Sequence, residues 1–325
     1  MKISRRAFTL GTGAALALPA LADTYPSRPI RMMIGFAAAG STDAVARYYA
    51  QKMGEVLKTS VIVDNKPGAG QLLAIRSLAT AQPDGYTLYL GTGSAFSQGP
   101  GVRKDLPYNP LKDFSLIGLM CTAPGVVVIS NKLPVKTLRD LVKLSQVEGS
   151  NLNYGSSGVG AASHLQTEYL LKLTGMKMTH IPYKADADIM RELTAGTIHL
   201  GISTIQGAMG SITSGRVRAL AVTGSRRLKV LPDVPTLTES DYKGLEGIHP
   251  YSYYGLAGPA GLPAAVVAKL NDAINKVSGM PDAITHLQER LNFDPETGSP
   301  ERFRKYIQED MEKWAALGKV VKLTD

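Results

Sequence analysis

The sequence predicts an α/β protein in which parallel strands are covered by helices. Residues 30–94 alternate between apolar, strand-like runs and helical stretches, and a second series of the same kind begins near residue 137. In each series a glycine-rich loop joins a strand to a helix start, at residues 36–43 and 155–164. Such a junction gathers backbone N–H groups and a positive helix end around one point, so we expect both loops to bind a small anion. For either loop alone, a tight strand-to-helix turn without a ligand is the alternative.

The first series has the order β-α-β-α-β. Residues 30–36 are nearly all apolar, as expected for a strand that is buried on both faces of a parallel sheet. Further strands are predicted at 60–63 and 86–90, each bounded by turn residues. Helices are predicted between these strands, from about Thr42 and over 71–81. This order is typical of a parallel sheet.

The rest of the chain supplies further strands and helices. Strands are predicted at residues 115–120, 126–130, 152–154, 179–183, 198–202, 217–222 and 251–258. Helices are predicted at residues 137–147, 162–174, 187–195, 264–278, 281–291 and 300–317. The proline-containing stretch 231–235 is predicted to be an irregular connection.

Residues 1–22 have the features of an export signal: a basic start, an apolar stretch at 10–18 and a small-residue cleavage site that ends at Ala22. Arg5 and Arg6 stand in the pattern typical of twin-arginine signals, and an ordinary secretory signal with a chance arginine pair is the alternative. The apolar stretch is too short for a permanent membrane anchor. The sequence therefore predicts a periplasmic protein that is cleaved after Ala22.

Composition excludes several functional classes. The formal net charge is +9, but the basic residues are scattered, with no basic stripe of interleaved aromatic residues, so no nucleic-acid partner is expected. Cys121 is the single cysteine, which rules out an internal disulfide. No cluster of histidine and cysteine has the spacing of a metal site, so neither a metal nor a cofactor is expected. We expect a monomer.

Nine short segments carry a resemblance that covers nearly the whole chain. They lie at residues 25–30, 36–43, 64–70, 83–88, 154–160, 180–184, 218–223, 231–236 and 258–263. In this order they resemble the periplasmic solute receptors of tripartite tricarboxylate transporters, also called the Bug family. No single segment is decisive, but nine in the right order are highly specific.

The resemblance implies a type II periplasmic-binding-protein fold. Two α/β lobes would be joined by two crossing segments, with a ligand trapped between them by hinge closure. Lobe 1 would hold residues 24–123 and 249–325, and lobe 2 residues 124–248. The implied function is the capture of a small carboxylate-bearing solute for integral-membrane transporter subunits, without catalysis.

The resemblance also implies which residues meet the ligand. Family members hold a carboxylate between two loops, which match residues 36–43 and 155–163 here. The candidate ligand-binding residues are Phe36, Ala38, Ala39, Gly40, Ser41, Asp43, Thr92, Ser156, Ser157, Gly160, Ala161, Ser163, Tyr183 and Ser203. Asp43 is the one ionisable side chain in the first loop. It either contacts the ligand or only stabilises its helix.

This chain departs from the family pattern at three places. The first loop carries alanines at 37–39 where relatives usually have proline and glycine, so a positive φ at one of them would be strained. Ala161 replaces a serine or threonine, which removes one hydroxyl donor. Ser203 stands where many relatives have aspartate, which lowers the negative charge expected in the cleft. These departures leave the fold and class intact and bear on the identity of the ligand.

Two other functional classes share features with this sequence. A serine hydrolase is suggested by Ser156, Ser157 and His164, but residues 155–159 lack the Gly-x-Ser-x-Gly order of a nucleophile elbow. His164 follows on the next helix and is poorly placed to reach back to these serines. A periplasmic sensor that feeds a signalling partner would have the same sequence features as a transport receptor.

Overall fold

The computed structural model describes residues 25–183, 186–240, 242, 245 and 251–319. The predicted export signal and its cleavage site lie outside these residues. Within the described part of the chain, no helix is both long and apolar enough to cross a membrane.

Eleven strands and eleven α-helices are assigned in the described residues. The strands are β1 (Ile30–Ile34), β2 (Val61–Asn65), β3 (Thr87–Thr92), β4 (Phe114–Ala123), β5 (Gly125–Ser130), β6 (Asn153–Ser156), β7 (Thr179–Pro182), β8 (Leu200–Thr204), β9 (Val217–Val222), β10 (Ser252–Pro259) and β11 (Asp294–Pro295). The helices are α1 (Ser41–Leu57), α2 (Leu72–Ala79), α3 (Gly99–Val102), α4 (Pro110–Asp113), α5 (Leu138–Gln146), α6 (Ala162–Thr174), α7 (Asp186–Ala195), α8 (Ile205–Thr213), α9 (Ala264–Gly279), α10 (Pro281–Thr285) and α11 (Pro300–Gly318).

Sheet A has six strands in the order β11-β4-β10-β3-β1-β2. The strands β3, β1 and β2 pair in parallel, which confirms the β-α-β-α-β prediction for the first series. Both faces of β1 are buried: Met32 packs with α1 and α9, while Met33 packs with α2 and α11. Successive side chains of a strand point to opposite faces, so a nearly continuous apolar run is required at this position.

Sheet B has five strands in the order β7-β6-β8-β5-β9. The strand β6 is parallel to β7 and to the central β8, whereas β5 is antiparallel to β8 and β9. One face packs against α5 and α6 through residues such as Leu141 and Leu170. The other packs against α7 and α8 through residues such as Ile189 and Ala208.

The chain passes from sheet A to sheet B directly from β4 into β5, with Pro124 between them. It returns at Ser252, where β10 pairs with the end of β4 at Ala123. The second lobe boundary, at 248/249, lies outside the described residues. The exact division therefore stays a prediction.

Several short elements were not predicted. These are the π-helical turn Ser94–Gln98, the helices α3, α4 and α8, and the strand β11. The helix α8 contains two glycines and begins with a Thr204 cap, whose hydroxyl accepts from the Gly207 N–H at 3.1 Å. The sequence did not predict α8, because its two glycines are unfavourable inside a helix and lower its helix propensity. The helix predicted at 281–291 is instead α10 followed by a π-helical turn.

Gly255, in the middle of β10, tests how tightly sheet A is packed. A methyl group there would overlap the ring of Phe303, which is fully buried. Gly255→Ala should lower the free energy of unfolding by about 1–3 kcal/mol, because overpacking forces neighbours off their rotamers. Gly279→Ala is the matched control, since its methyl group would meet nothing within 4 Å. It should raise stability by about 0.4–1 kcal/mol in urea denaturation, and equal effects of the two variants would contradict this packing.

Candidate functional site

A cleft of about 670 Å³ is lined by loops from both sheets. Several helices begin at its wall, among them α1 at Ser41 and Thr42, α6 at Ala161 and Ala162, and α8 just after Thr204. The helices α2 and α3 also begin there, at Leu72 and Gly99. The first amide groups of a helix have no partner within the helix. They add to the positive end of the helix dipole. The cleft is therefore a favourable place for an anion, as expected from the two glycine-rich loops.

One alanine of the first loop has the strained, positive φ that the sequence indicated for residues 37–39. Ala39 has φ 67°, in the left-handed region. Its N–H donates to Asp43 Oδ2 at 3.0 Å, and this bond holds the loop against α1. A left-handed alanine costs about 1–2 kcal/mol. The surrounding contacts must stabilise this conformation.

Asp43 is the centre of those contacts. Its Oδ2 also accepts from Arg47 Nε at 2.8 Å, and its Oδ1 accepts from Asn65 Nδ2 at 2.9 Å. The Arg47 hydrogen bond is the main reason that the pKa of Asp43 falls to about 2, with Asn65 and Ala39 adding to it against the effect of burial. Asn65 Nδ2 also donates to the Phe36 carbonyl at 3.1 Å. The contacts seen for this carboxylate therefore all shape the loop, and Asp43 does not line the cleft.

The second loop is held by bonds to its own side chains. The N–H of Ser157 donates to Ser163 Oγ at 2.9 Å, and the N–H of Gly160 donates to His164 Nδ1 at 3.0 Å. The Ser157 and Ser163 hydroxyls lie 2.9 Å apart. These loop amides are thus already engaged. The first-turn amides of α6 have no partner within their helix, and they lie beside Ala161 and Ala162 in the cleft wall. They are therefore the donors that this loop offers to the cleft.

Behind this loop lies a stack of three rings. The His164 and His180 rings are 4.0 Å apart, and Tyr154 stacks on His180 at 4.9 Å. Burial lowers the pKa of His164 to about 4, and the neighbouring His180 adds to the shift. The serine–histidine pair that forms is Ser156 Oγ to His180 Nε2, at 2.6 Å. Ser156 is fully buried, so a substrate cannot reach it.

Some residues that line the cleft were not predicted from the sequence. Gln71 is buried with φ 77°, and its Nε2 donates to Thr92 Oγ1 at 3.2 Å while its Oε1 accepts from Tyr89 OH at 2.8 Å. Tyr251 and Tyr254 line the cleft from the return crossing. The available signals were the family segment at 64–70, which ends just before Gln71, and the tyrosines at 251, 253 and 254. The sequence did not predict that either would line the site.

The structure brings six of the predicted site residues to the cleft wall. These are Phe36, Ser41, Thr92, Ser157, Gly160 and Ala161. Eight others do not line the wall, namely Ala38, Ala39, Gly40, Asp43, Ser156, Ser163, Tyr183 and Ser203. Ser203 Oγ donates to Asp186 Oδ2 at 2.9 Å, so a carboxylate from α7 lies beside the position where the family acid was expected. Burial raises the pKa of Asp186.

Two α/β units with a shared cleft define a two-lobed solute-binding protein. More specifically, the chain belongs to the tripartite tricarboxylate transporter receptor family, whose model, "Tripartite tricarboxylate transporter family receptor", matches residues 45–323. The type II periplasmic-binding-protein fold predicted from the sequence is confirmed by solved structures of this kind. Members of the family are receptors rather than enzymes, which confirms that prediction as well.

Three solved structures illustrate the similarity. The periplasmic binding protein BugD is 32% identical, with a TM-score of 0.73 over 91% of this chain and 98% of that one. Rpa4515 of R. palustris with adipate is 28% identical, with a TM-score of 0.77 over 91% and 97%. MatC (Rpa3494) of Rhodopseudomonas palustris with bound malate is 29% identical, with a TM-score of 0.73 over 90% and 100%.

Ala39→Gly should stabilise the protein. Glycine removes the left-handed penalty of about 1–2 kcal/mol and adds about 0.4–1 kcal/mol of unfolded-state entropy, which leaves a gain of about 0.5–1 kcal/mol. The neighbouring Ala38→Gly, which is not at a positive φ, should instead lose about 0.5–1 kcal/mol. Urea denaturation of both variants distinguishes these signs, and a loss in both would show that Ala39 is not strained.

The lowered pKa of His164 predicts that the stability of the protein depends on pH. The His164 imidazole has a pKa near 6.5 in the unfolded chain and about 4 in the folded chain. Between these values the unfolded chain binds more protons, so the free energy of unfolding should fall as the pH drops from 6.5 to 4. The loss from this group is on the order of 3 kcal/mol. His164→Asn keeps an acceptor for the Gly160 N–H without titrating, and it should flatten the slope. Identical slopes for variant and wild type would exclude His164 as the cause.

Proposed function

We propose that this protein captures a small carboxylate-bearing solute in the periplasm and delivers it to the integral-membrane subunits of a tripartite tricarboxylate-type transporter. The observation that carries the proposal is the convergence of helix starts, among them those of α1, α6 and α8, on one cleft that has no acidic side chain in its described wall. The adipate and malate bound to the related receptors are carboxylates of the same class. Export through the twin-arginine route is part of the proposal and rests on Arg5 and Arg6.

Backbone donors are sufficient for useful affinity. Hydrogen bonds to a charged acceptor contribute roughly 1.5–3 kcal/mol each. Micromolar binding needs about 8 kcal/mol. A few amides from the first turns of α1 and α6, with the Ser41 and Ser157 hydroxyls beside them, would supply this without a salt bridge.

Ligand capture would proceed by closure of the two lobes about the crossings, with bending at residues 121–125 and 246–252. Contacts between the two units would change in such a motion. Beside the crossings, Arg226 Nε donates to Asp294 Oδ1 at 2.7 Å. On α6 and α11, Leu165 packs against Trp314.

A thermal-shift panel of carboxylates, amino acids and sugars tests the proposed function. A ligand present at about 100 times its dissociation constant should stabilise the protein by roughly 2.7 kcal/mol. We expect stabilisation by carboxylates alone. A response confined to uncharged solutes would contradict the proposal.

Gly160→Val tests whether the second loop forms the site. Gly160 has φ 74° and lines the cleft, so valine would strain the loop and disturb its bond to His164. Gly215→Val is the matched control, because Gly215 has φ 67°, also has open space around it, and lies away from the cleft. In titration calorimetry with the carboxylate found in the panel, Gly160→Val should nearly abolish binding and Gly215→Val should preserve it. Normal binding by Gly160→Val would exclude this loop.

A further inference from the structure

The turn that leads into α2 has a strained backbone conformation. Four residues in a row, 68–71, have a positive φ, and the last of them is Gln71 at φ 77°. Glycine adopts this left-handed region freely, whereas a residue with a Cβ atom does so at a cost. Gln71 is only 4% exposed, and it lines the cleft. A strained residue in a binding site is a candidate for a role in that site.

The side chain of Gln71 lies against the backbone that follows β1. A Cβ built on Gly35 would be 2.6 Å from Gln71 Cβ and 2.7 Å from its Cγ. The stem of the glutamine therefore fills the space that the glycine leaves. Beyond this stem, the carboxamide reaches two residues of β3, which are Tyr89 and Thr92. The position of the carboxamide is thus fixed at both of its ends.

Tyr89 sets the orientation of this carboxamide. It is fully buried, and its hydroxyl donates to Gln71 Oε1 at 2.8 Å. Burial raises the pKa of Tyr89 well above its usual value, so the hydroxyl keeps its proton. An amide has an acceptor end and a donor end, and a fixed donor beside it selects the acceptor end. The Nε2 of Gln71 is thereby turned toward Thr92 Oγ1, at 3.2 Å.

This arrangement leaves the hydrogen of the Thr92 hydroxyl available to a solute. A hydroxyl has one hydrogen to donate and two lone pairs that accept, and Gln71 Nε2 uses a lone pair. The reverse contact, from Thr92 Oγ1 to Gln71 Oε1, is longer at 3.4 Å and ends on an oxygen that already accepts from Tyr89. The hydroxyl hydrogen can therefore point into the cleft, which Thr92 lines. Hydrogen bonds in series also polarise one another, which strengthens the last donor.

We propose that Gln71 is a positioning residue that makes the Thr92 hydroxyl a hydrogen-bond donor to the bound solute. The series of donors runs from Tyr89 through Gln71 to Thr92 and ends in the cleft. The solute group at this place is an oxygen acceptor, such as a carboxylate or carbonyl oxygen. This role explains why a glutamine occupies a turn in which glycine would be less strained. The inference rests on the proposed function and concerns the same site.

A double-mutant cycle between Gln71 and Thr92, measured by titration calorimetry, tests the inference. The probe is the tightest binder among malate, adipate, citrate and benzoate. Thr92→Val should weaken binding by about tenfold or more, as expected for the loss of one hydrogen bond to a charged acceptor. Gln71→Met keeps the stem that packs on Gly35 but has no amide, and it should weaken binding by about three- to tenfold. In the Thr92→Val background the same change should alter affinity by less than about twofold, because the hydroxyl on which Gln71 acts is gone.

Tyr89→Phe is a second, milder variant, since it leaves Gln71 and its turn in place. It removes the donor that orients the carboxamide, so it should weaken binding by about two- to fivefold when Thr92 is present. In the Thr92→Val background it should have almost no effect. This variant keeps the test decisive if Gln71→Met does not fold.

Gln98→Met is the matched control. Gln98 is also a buried glutamine, but its Nε2 donates to the Tyr251 carbonyl at 3.4 Å rather than to Thr92. Any effect of this variant should be the same in both backgrounds. Unchanged binding by Gln71→Met, or an equal loss with and without the Thr92 hydroxyl, would overturn the positioning role while solute binding stands. A folded wild-type protein that binds none of the four carboxylates would overturn the proposed function itself.

Discussion

The amide groups at the helix starts around the cleft are the constraint on which the site depends. Each start needs a partner for donors that the helix itself does not satisfy, and the starts of α1, α6 and α8 turn toward one space. Water can fill that role before a solute binds. A carboxylate fills it better, because it carries the opposite charge to the helix ends. The parallel strands of both sheets place the loops that make this convergence possible.

Side chains next to the cleft act mainly on its shape. The Asp43 carboxylate fixes a strained loop through Ala39, Arg47 and Asn65. His164 does the same for Gly160 in the second loop. The two anchors differ in chemistry, since one is an ionised acid whose pKa is lowered and the other is a neutral imidazole whose pKa is also lowered. Both arrangements keep the loop in place over the middle of the pH range.

Local patterns were enough to predict most of the strand and helix order and a parallel sheet in the first series, and the departure from the family pattern predicted strain at a positive φ among the alanines at 37–39. Those features depend on apolar periodicity and on a family glycine replaced by alanine. The cleft walls made by Gln71, Arg103 and Tyr251 could not be predicted in the same way. They are far apart in sequence, and only the tertiary fold brings them together. The bond from Gly160 to His164 was also missed, because it depends on a side-chain rotamer that spacing does not determine.

The central claim is that a solute carboxylate accepts hydrogen bonds from first-turn amides of two opposing helices. Amide-detected NMR during titration with a bound carboxylate measures this most directly. The account predicts large downfield proton shifts for the amides of Ser41, Thr42, Ala162 and Ser163, with much smaller shifts at the starts of helices away from the cleft, such as α9. Saturating binding that leaves all four of these amides unshifted would contradict it.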